Sequence, residues 1–493
     1  MSDWILAAPL LCVVLGGLAM MLVDAFVEEK SELATTTAVI LVGASVIAGA
    51  LWSGNYGAAG AGSLLSAWLA TDKLALVSDV IIAVGAALAA LIAGGYLPEH
   101  DLERGEFYPL LLFSAFGAMV LARSVDLLTL FVGLETMSLG VYSLVAFRRT
   151  NARSAEAGIK YFLLGSFAAA LLLLGSAYLY GATGHTDFVG IAEVIKSGGA
   201  DSRLVLLAVM LIIAGLAFKV SAVPFHMWTP DAYEGAITPV TAFMSVCVKS
   251  SVFIVMVRVF LVGLASPELS SGSSGWPPVL AGLAALTMVF GNLGAVVQSS
   301  VKRMLAYSSI AHAGYILIGL VAAAKIGEQA ISSVLYYLAA YTVSNALAFG
   351  ALVYAGSSKR EAVSYEDLAG LGRRNPILAI PFLIAILSLM GFPPTAGFFA
   401  KYYVFMAAVQ AGGGMVWLAV LGALTSAAGS YYYLRVLVFL FMREPAEGAK
   451  VAIPMRSGYV ITAMVVAGVL VLQMGVAPSR YLDIASAAAK LFG

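Results

Sequence analysis

The sequence predicts an all-α polytopic membrane protein of about fourteen transmembrane helices, arranged as two inverted five-helix repeats that each contain a broken helix. Composition is the first ground. Hydrophobic residues make up 61% of the 493 and charged residues 11%, against about a quarter charged in a soluble protein, and the mean hydropathy is +0.96. The second is spacing: apolar runs of about 20 residues, the length that crosses a bilayer, recur along the chain. The third is internal similarity at an offset of 176 residues, with proline-interrupted runs in corresponding places.

The start, MSDWILAAPLLCVV, carries Asp3 and no basic segment, so it reads as a retained first span and not a cleaved signal. Spans are predicted near 4–26, 33–52, 73–95, 107–122, 126–147, 157–180, 204–221, 236–262, 278–298, 302–323, 329–355, 377–391 continuing to 410, 415–441 and 458–476. Between the sixth and seventh, Phe188, Ile191, Ala192 and Ile195 recur at helical spacing and predict a short interfacial helix. The 176-residue offset lays 124–144 over 300–320 and 159–180 over 335–354. The chain then divides into an N-terminal three-helix segment (1–106), a first five-helix repeat (107–262), a second (263–441), and a C-terminal helix and tail (442–493). An odd number of spans per unit forces the second copy to enter from the opposite side.

Orientation follows from the basic residues. Lys30, Arg104, Arg148, Arg149, Arg153, Lys302, Arg303, Lys359, Arg360, Arg373, Arg374, Arg443, Lys450 and Arg456 fall in one set of connections. The other set holds only Lys73, Arg123, Lys196, Arg203, Lys325, Arg480 and Lys490. The positive-inside rule makes the first set cytoplasmic and both termini periplasmic. Arg258 and Arg435, near helix ends, are expected to snorkel to the headgroups. Asp79 has no charged neighbour at helical spacing and is expected to cap toward solvent or a neighbouring subunit. Asp231 and Glu234 suit the dipole of a helix start, and the mixed charges of SSKREAVSYEDLAGLGRRNP are expected to face water or a peripheral partner.

Redox and nucleotide chemistry find no support. Net charge is zero, with 27 basic and 27 acidic residues, so nothing points to nucleic acid. Cys12 and Cys247 lie in apolar runs and form no CxxC, which excludes an iron–sulfur or structural zinc site built from this chain. Of four histidines, His100 and His185 fall in polar loops, leaving His226 and His312, too few for the axial ligands of a two-haem cytochrome. No P-loop or Rossmann fingerprint is present.

Charges inside the spans are the functional signal. Glu135, Lys219, Lys249 and Lys401 each lie within an apolar run, where a charge costs roughly 2.5–3.5 kcal/mol even on lenient insertion scales. Such residues point to ion movement. The fourth helix of each repeat is interrupted beside one of them: GLAFKVSAVPFHMWTPDAYEGA by Pro224 and Pro230, SLMGFPPTAGFFAKYYVF by Gly391, Pro393, Pro394 and Gly397. Proline removes a backbone donor and clashes with the preceding turn, so both helices should break. A packing kink is the alternative for each break, and a static buried ion pair for each charge.

The runs KVSAVPFHMWTPDAYEGAITPVTAF, GIKYFLLGSFAAALLL, SSIAHAGYILIGL, YEDLAGLGRRNP and LSLMGFPPTAGFFAKYY resemble subunit N of bacterial respiratory complex I, the proton-pumping NADH:quinone oxidoreductase. The resemblance spans the fourth to the thirteenth helix and favours subunit N over the sister antiporter-like subunits L and M. It implies a fourteen-helix antiporter-like fold without a long lateral C-terminal helix. It also implies a subunit with no cofactor of its own, whose NADH, flavin, iron–sulfur clusters and quinone sit on other subunits. The implied partners are membrane-arm subunits, including the sister subunits, with lipid and protons. The implied location is the bacterial cytoplasmic membrane.

Residue by residue, Glu135, roughly 14 Å into a helix starting near Asp126, matches the glutamate that pairs with the lysine of the first broken helix, here Lys219. Lys249 matches the lysine linking the halves, and Lys401 the residue of the second broken helix; subunit M-like proteins carry a glutamate there. Lys160 carries over beside Tyr161, although its repeat partner is Tyr336, and His226 and His312 are expected as polar links. A cation/proton antiporter of the same superfamily and a non-pumping scaffold subunit are the alternatives. The retained buried charges argue against the scaffold.

Overall fold

The computed structural model describes residues 3–26, 30, 32–54, 65–270, 275–357, 359–445 and 453–490; Lys450 lies outside them. Among the described residues every regular element is helical, with only isolated bridges between loop residues. In chain order the α-helices are α1 (Ala8–Phe26), α2 (Leu33–Ser53), α3 (Lys73–Glu99), α4 (Phe107–Arg123), α5 (Leu127–Val145), α6 (Ala152–Thr183), α7 (Phe188–Lys196), α8 (Ser202–Val220), α9 (Trp228–Gly235), α10 (Thr238–Phe243), α11 (Lys249–Arg258), α12 (Pro267–Ser270), α13 (Trp276–Val296), α14 (Val301–Ile326), α15 (Glu328–Ala355), α16 (Leu371–Arg374), α17 (Pro376–Met390), α18 (Ala396–Gln410), α19 (Val416–Phe441), α20 (Gly458–Val476) and α21 (Pro478–Ala488).

Twelve helices among the described residues are long and apolar enough to cross a membrane, or thirteen if the pair Glu366–Arg374 and Pro376–Met390, bent by 114°, is one span. One of the twelve is the rod Thr238–Gly263, made of α10 and α11 with π-type turns at Met244–Val248 and Val259–Gly263. Each predicted span coincides with helix, including α4 at 17 residues and the 15-residue halves α17 and α18. The predicted short helix is α7, which buries Phe188, Ile191 and Ile195. The core lies along the rod and α15, the most enclosed of the apolar helices.

Two loop contacts recur along the chain. Asp126 caps α5 and bridges Asp187 beyond α6, while Ser300 caps α14 and bridges Ser364 beyond α15. Both broken helices end alike. Ala222 N–H bonds back to Ala217 O and Phe392 N–H to Leu387 O, each following a left-handed residue, Ser221 (φ 65°) and Gly391 (φ 89°). This closing turn satisfies carbonyls that the break would orphan. Gly397 lets α18 pass close to α17, since a Cβ there would meet the Ser388 carbonyl.

The directions oppose. Leu69, just before α3, bridges Ser124, just before α5, so α3 and α5 start at one end. Lys302, at the start of α14, pairs instead with Glu361, which is bonded to Tyr96 near the end of α3. Helix α14 therefore runs against α5, as inverted units require.

Several surface expectations fail because charges expected to reach water find protein partners. Asp79 is fully buried and bound by both Nε and Nη2 of Arg123, whose Nη1 donates to Leu6 O at 2.8 Å. Arg258 is buried and does not snorkel: it forks onto Asp72 through two bonds of 2.7 Å and donates to Ala122 O. Arg435, partly exposed near the end of α19, packs over the Tyr365 ring at 4.3 Å, which leaves its snorkelling uncontradicted. Asp231 stands in the first turn of α9, as the dipole reading expects, and with Glu234 it binds Arg303, at 2.9 and 3.0 Å. Glu361 and Asp367, in the loop expected to face water, are bound by Lys302 and Arg360 respectively. His100, read as a polar-loop residue, is buried at the end of α3.

Candidate functional site

Lysine 219 sits one residue before the end of α8, wholly within protein. Its Nζ donates to Ser138 Oγ at 2.8 Å and Tyr142 OH at 3.0 Å on α5, and lies 5.1 and 5.7 Å from the Tyr142 and Tyr161 ring centres. Glu135, Ser138 and Tyr142 stand at i, i+3 and i+7 and so share a face of α5. The expected Glu135–Lys219 ion pair is not formed, because the amine meets α5 one and two turns further along, at the two hydroxyls. One Glu135 carboxylate oxygen is buried without a hydrogen-bond partner.

Lys249 follows the π-type turn Met244–Val248 in the most enclosed rod. Such widened turns cluster at functional sites. Its Nζ donates to Ser309 O at 2.6 Å and Ser309 Oγ at 2.5 Å, and the same Oγ accepts from Tyr341 OH at 2.8 Å. One turn along α14, His312 bonds through Nδ1 to Tyr337 OH at 2.7 Å and through Nε2 to Tyr433 OH at 3.0 Å. The ring of Tyr433 packs 4.4 Å from that of Tyr432, which donates to Asn292 Oδ1 at 3.0 Å; Asn292 in turn donates to Tyr315 OH at 3.0 Å.

Lys401 closes the file. Its Nζ lies 5.2 Å over the Tyr315 ring and donates to Ser426 Oγ and Met390 O, both at 2.8 Å. Met390 is the last residue of α17, so the amine neutralises an exposed carbonyl at the break, where a cation is favoured. A void of about 10 Å³, one water's worth, joins His312 and Tyr341 to Ser388 and Gly397 at the same break. Lys249, His312 and Lys401 thus lie on one continuous polar and aromatic file. Between Lys219 and Lys249 the connection is aromatic: Tyr161 stacks on Trp228 at 4.3 Å, and Trp228 meets Tyr233, whose OH is 3.4 Å from Ser309 Oγ.

Two expected members stand apart. Lys160 is exposed and pairs with Glu156 at 2.6 Å and Asp231 at 3.1 Å, rimming a cleft of about 270 Å³ with Arg153, Glu234 and Arg303. Arg303 and Lys160 hold the Asp231 carboxyl below its ordinary range, although burial, the largest influence, pushes it up. His226 lies in the link after α8, half-buried, with Nδ1 lacking a hydrogen-bond partner.

Sequence reasoning missed the neutral members: Ser138, Tyr142, Ser309, Tyr341, Tyr433, Asn292 and Tyr315. Only Ser138 and Tyr142 carried a readable signal, their helical spacing from Glu135. Tyr433 and Asn292 reach the file from helices more than a hundred residues apart in sequence. Among the described residues no group of three or more His, Cys, Asp and Glu side chains could hold a metal ion.

Residues 124–427 match the family described as NADH:quinone oxidoreductase/Mrp antiporter, transmembrane. NADH-quinone oxidoreductase subunit N 1 of Sorangium cellulosum is 53% identical over 505 residues, covering 98% of each chain. A chain of respiratory complex I from Thermus thermophilus superposes with a TM-score of 0.79 at 35% identity, over 96% of this chain and 98% of that one. A chain of the Mrp complex from Dietzia sp. shares the fold, with a TM-score of 0.84 at 21% identity over 99% and 97%.

Proposed function

The chain belongs to the NADH:quinone oxidoreductase/Mrp antiporter transmembrane family, and we propose that it carries protons through the buried file from Lys219 by way of Lys249 and His312 to Lys401. It is a multi-pass membrane protein and a proton-translocating subunit of an NADH:quinone oxidoreductase, a translocase complex. The observation that carries the relay reading is the company these lysines keep. Among the described residues none of the three forms an ion pair with a carboxylate; each amine is held by hydroxyls or backbone carbonyls. A nearby carboxylate favours the charged lysine and makes its proton harder to release, and removing either partner strands a buried charge. A lysine held by neutral acceptors can exchange its proton, and Glu135, unpaired one turn from the Lys219 contacts, can bias that exchange by approach or retreat.

In this reading Glu135 and Lys219 form the loading site, Lys249 joins the halves, His312 with its two tyrosines passes the proton on, and Lys401 holds it at the second break. Electron transfer on other subunits drives the cycle. The chain sits in the bacterial cytoplasmic membrane with both termini periplasmic, among other membrane-arm subunits. The reading is tested with Lys219→Arg, which keeps the charge but cannot deprotonate. Coupled proton pumping by the assembled complex should fall at least tenfold, and normal pumping would make Lys219 a static residue.

The shared fold of the Mrp chain keeps a second reading in view, a cation/proton antiporter. Na⁺/H⁺ exchange by the purified chain in liposomes separates them: robust exchange without partners favours the antiporter, and its absence favours the complex subunit.

A further inference from the structure

At the start of α14, seven residues before Ser309, lies a second charged assembly that the relay does not use. Lys302 is completely buried, donating to Ala236 O at 2.6 Å and to Glu361 Oε2 at 3.2 Å. The other oxygen of Glu361 accepts from Tyr96 OH. His100 stacks on the Tyr96 ring at 4.0 Å and keeps one nitrogen buried without a hydrogen-bond partner. Burial raises the Glu361 carboxyl, yet Lys302 and Tyr96 outweigh it and hold the group below the ordinary glutamate range. A cleft of about 130 Å³ lined by Arg148, Arg153, Glu234 and Val363 opens onto Glu361. Glu361 faces the cleft and Lys302 does not. Lys302 and Ser309, the residue that holds Lys249, are seven apart on α14, hence on one face and about 10 Å apart along the axis.

We infer that the Lys302–Glu361 pair is a proton-intake site, taking protons from the cleft and delivering them along α14 to Lys249; the inference rests on the relay reading. The step balances as follows. The Lys302 ammonium gives its proton inward to water, which passes one on by way of the Ser309 hydroxyl to the neutral Lys249 amine, and the Glu361 carboxylate takes one from hydronium in the cleft. Glu361 then returns that proton to Lys302, restoring the pair. One proton has moved from cleft to Lys249, and no oxidant or further reactant is needed. A buried ion pair at the foot of the relay helix, one partner wet and the other dry, is suited to this one-way handover. An ion pair serving only to fix helix register would not need the cleft.

The test uses the assembled complex in inside-out membrane vesicles, with NADH reduction of an artificial acceptor as the control that the electron-transfer part is intact. Val363→Cys introduces a thiol at the cleft without touching a charge. After reaction with a charged methanethiosulfonate, its pumping should drop at least threefold relative to the unlabelled variant, while treated wild type is unchanged. Glu361→Gln should lose at least threefold and Glu361→Asp should keep more than half of the rate. A thiol that cannot be labelled, a labelled thiol with unchanged pumping, or a Glu361→Gln complex that pumps normally overturns the intake site. Lys249→Met in the same vesicles separates the two ideas. If it pumps normally the relay itself falls, and if it stops pumping while the Glu361 variants pump, only the intake site falls.

Discussion

Ser309→Ala tests the relay at its narrowest point. The hydroxyl takes the Lys249 amine at 2.5 Å and the Tyr341 hydroxyl at 2.8 Å, and all three residues are buried. Its removal leaves Lys249 the Ser309 backbone carbonyl at 2.6 Å alone. A hydrogen bond to a charged group contributes about 1.5–3 kcal/mol, so the ammonium form at this position is disfavoured by about that much. Each 1.4 kcal/mol is tenfold in an equilibrium, so occupancy of the loaded state should fall by about one to two orders of magnitude. The stranded Tyr341 hydroxyl costs about 1–3 kcal/mol of stability, which an assembled complex can absorb. NADH-driven acidification of inverted vesicles should therefore slow tenfold or more in Ser309→Ala, with artificial-acceptor activity unchanged. Ser309→Thr, which retains the hydroxyl, should recover most of the rate. Pumping by Ser309→Ala within twofold of wild type would refute the assignment of Lys249 and Ser309 to the proton path.

The remaining predictions concern stability, the surface cluster and topology. Arg123→Met strands the buried Asp79 carboxylate and should destabilise the chain by about 3–5 kcal/mol; adding Asp79→Asn should return most of that loss in thermal unfolding of the detergent-purified complex. Lys160→Ala removes only exposed pairs, which solvent and salt screen, so vesicle pumping should stay within twofold of wild type, and a large loss would return Lys160 to the path. With both termini periplasmic, an impermeant thiol reagent on intact cells should modify Glu268→Cys and spare Lys359→Cys; the reverse pattern would invert the direction of the path.

Hydrophobic periodicity alone determined the helical class, the span positions and the two breaks, because a bilayer demands long apolar runs and proline cannot be hidden in one. The lysines were legible for the same reason: a charge in an apolar run is costly enough to stand out. What could not be read was partnership. Asp79 and Arg258 looked like solitary charges seeking water because Arg123 and Asp72 come from other helices, 44 and 186 residues away. Lys302 looked like an orienting surface charge, and tertiary packing buried it against Glu361, 59 residues on. Lys160 lies within the apolar helix α6, as read, but its exposure and its carboxylate partners on α6 and α9 were not legible. The neutral half of the file, from Ser309 to Asn292 and Tyr315, stayed invisible because serine, asparagine and tyrosine are unremarkable in a membrane helix until folding aligns their hydroxyls and amides. Sequence determines where charge is put into the membrane, since that is a matter of local solvation. Which groups hold that charge depends on how helices cross, and only the tertiary structure decides it.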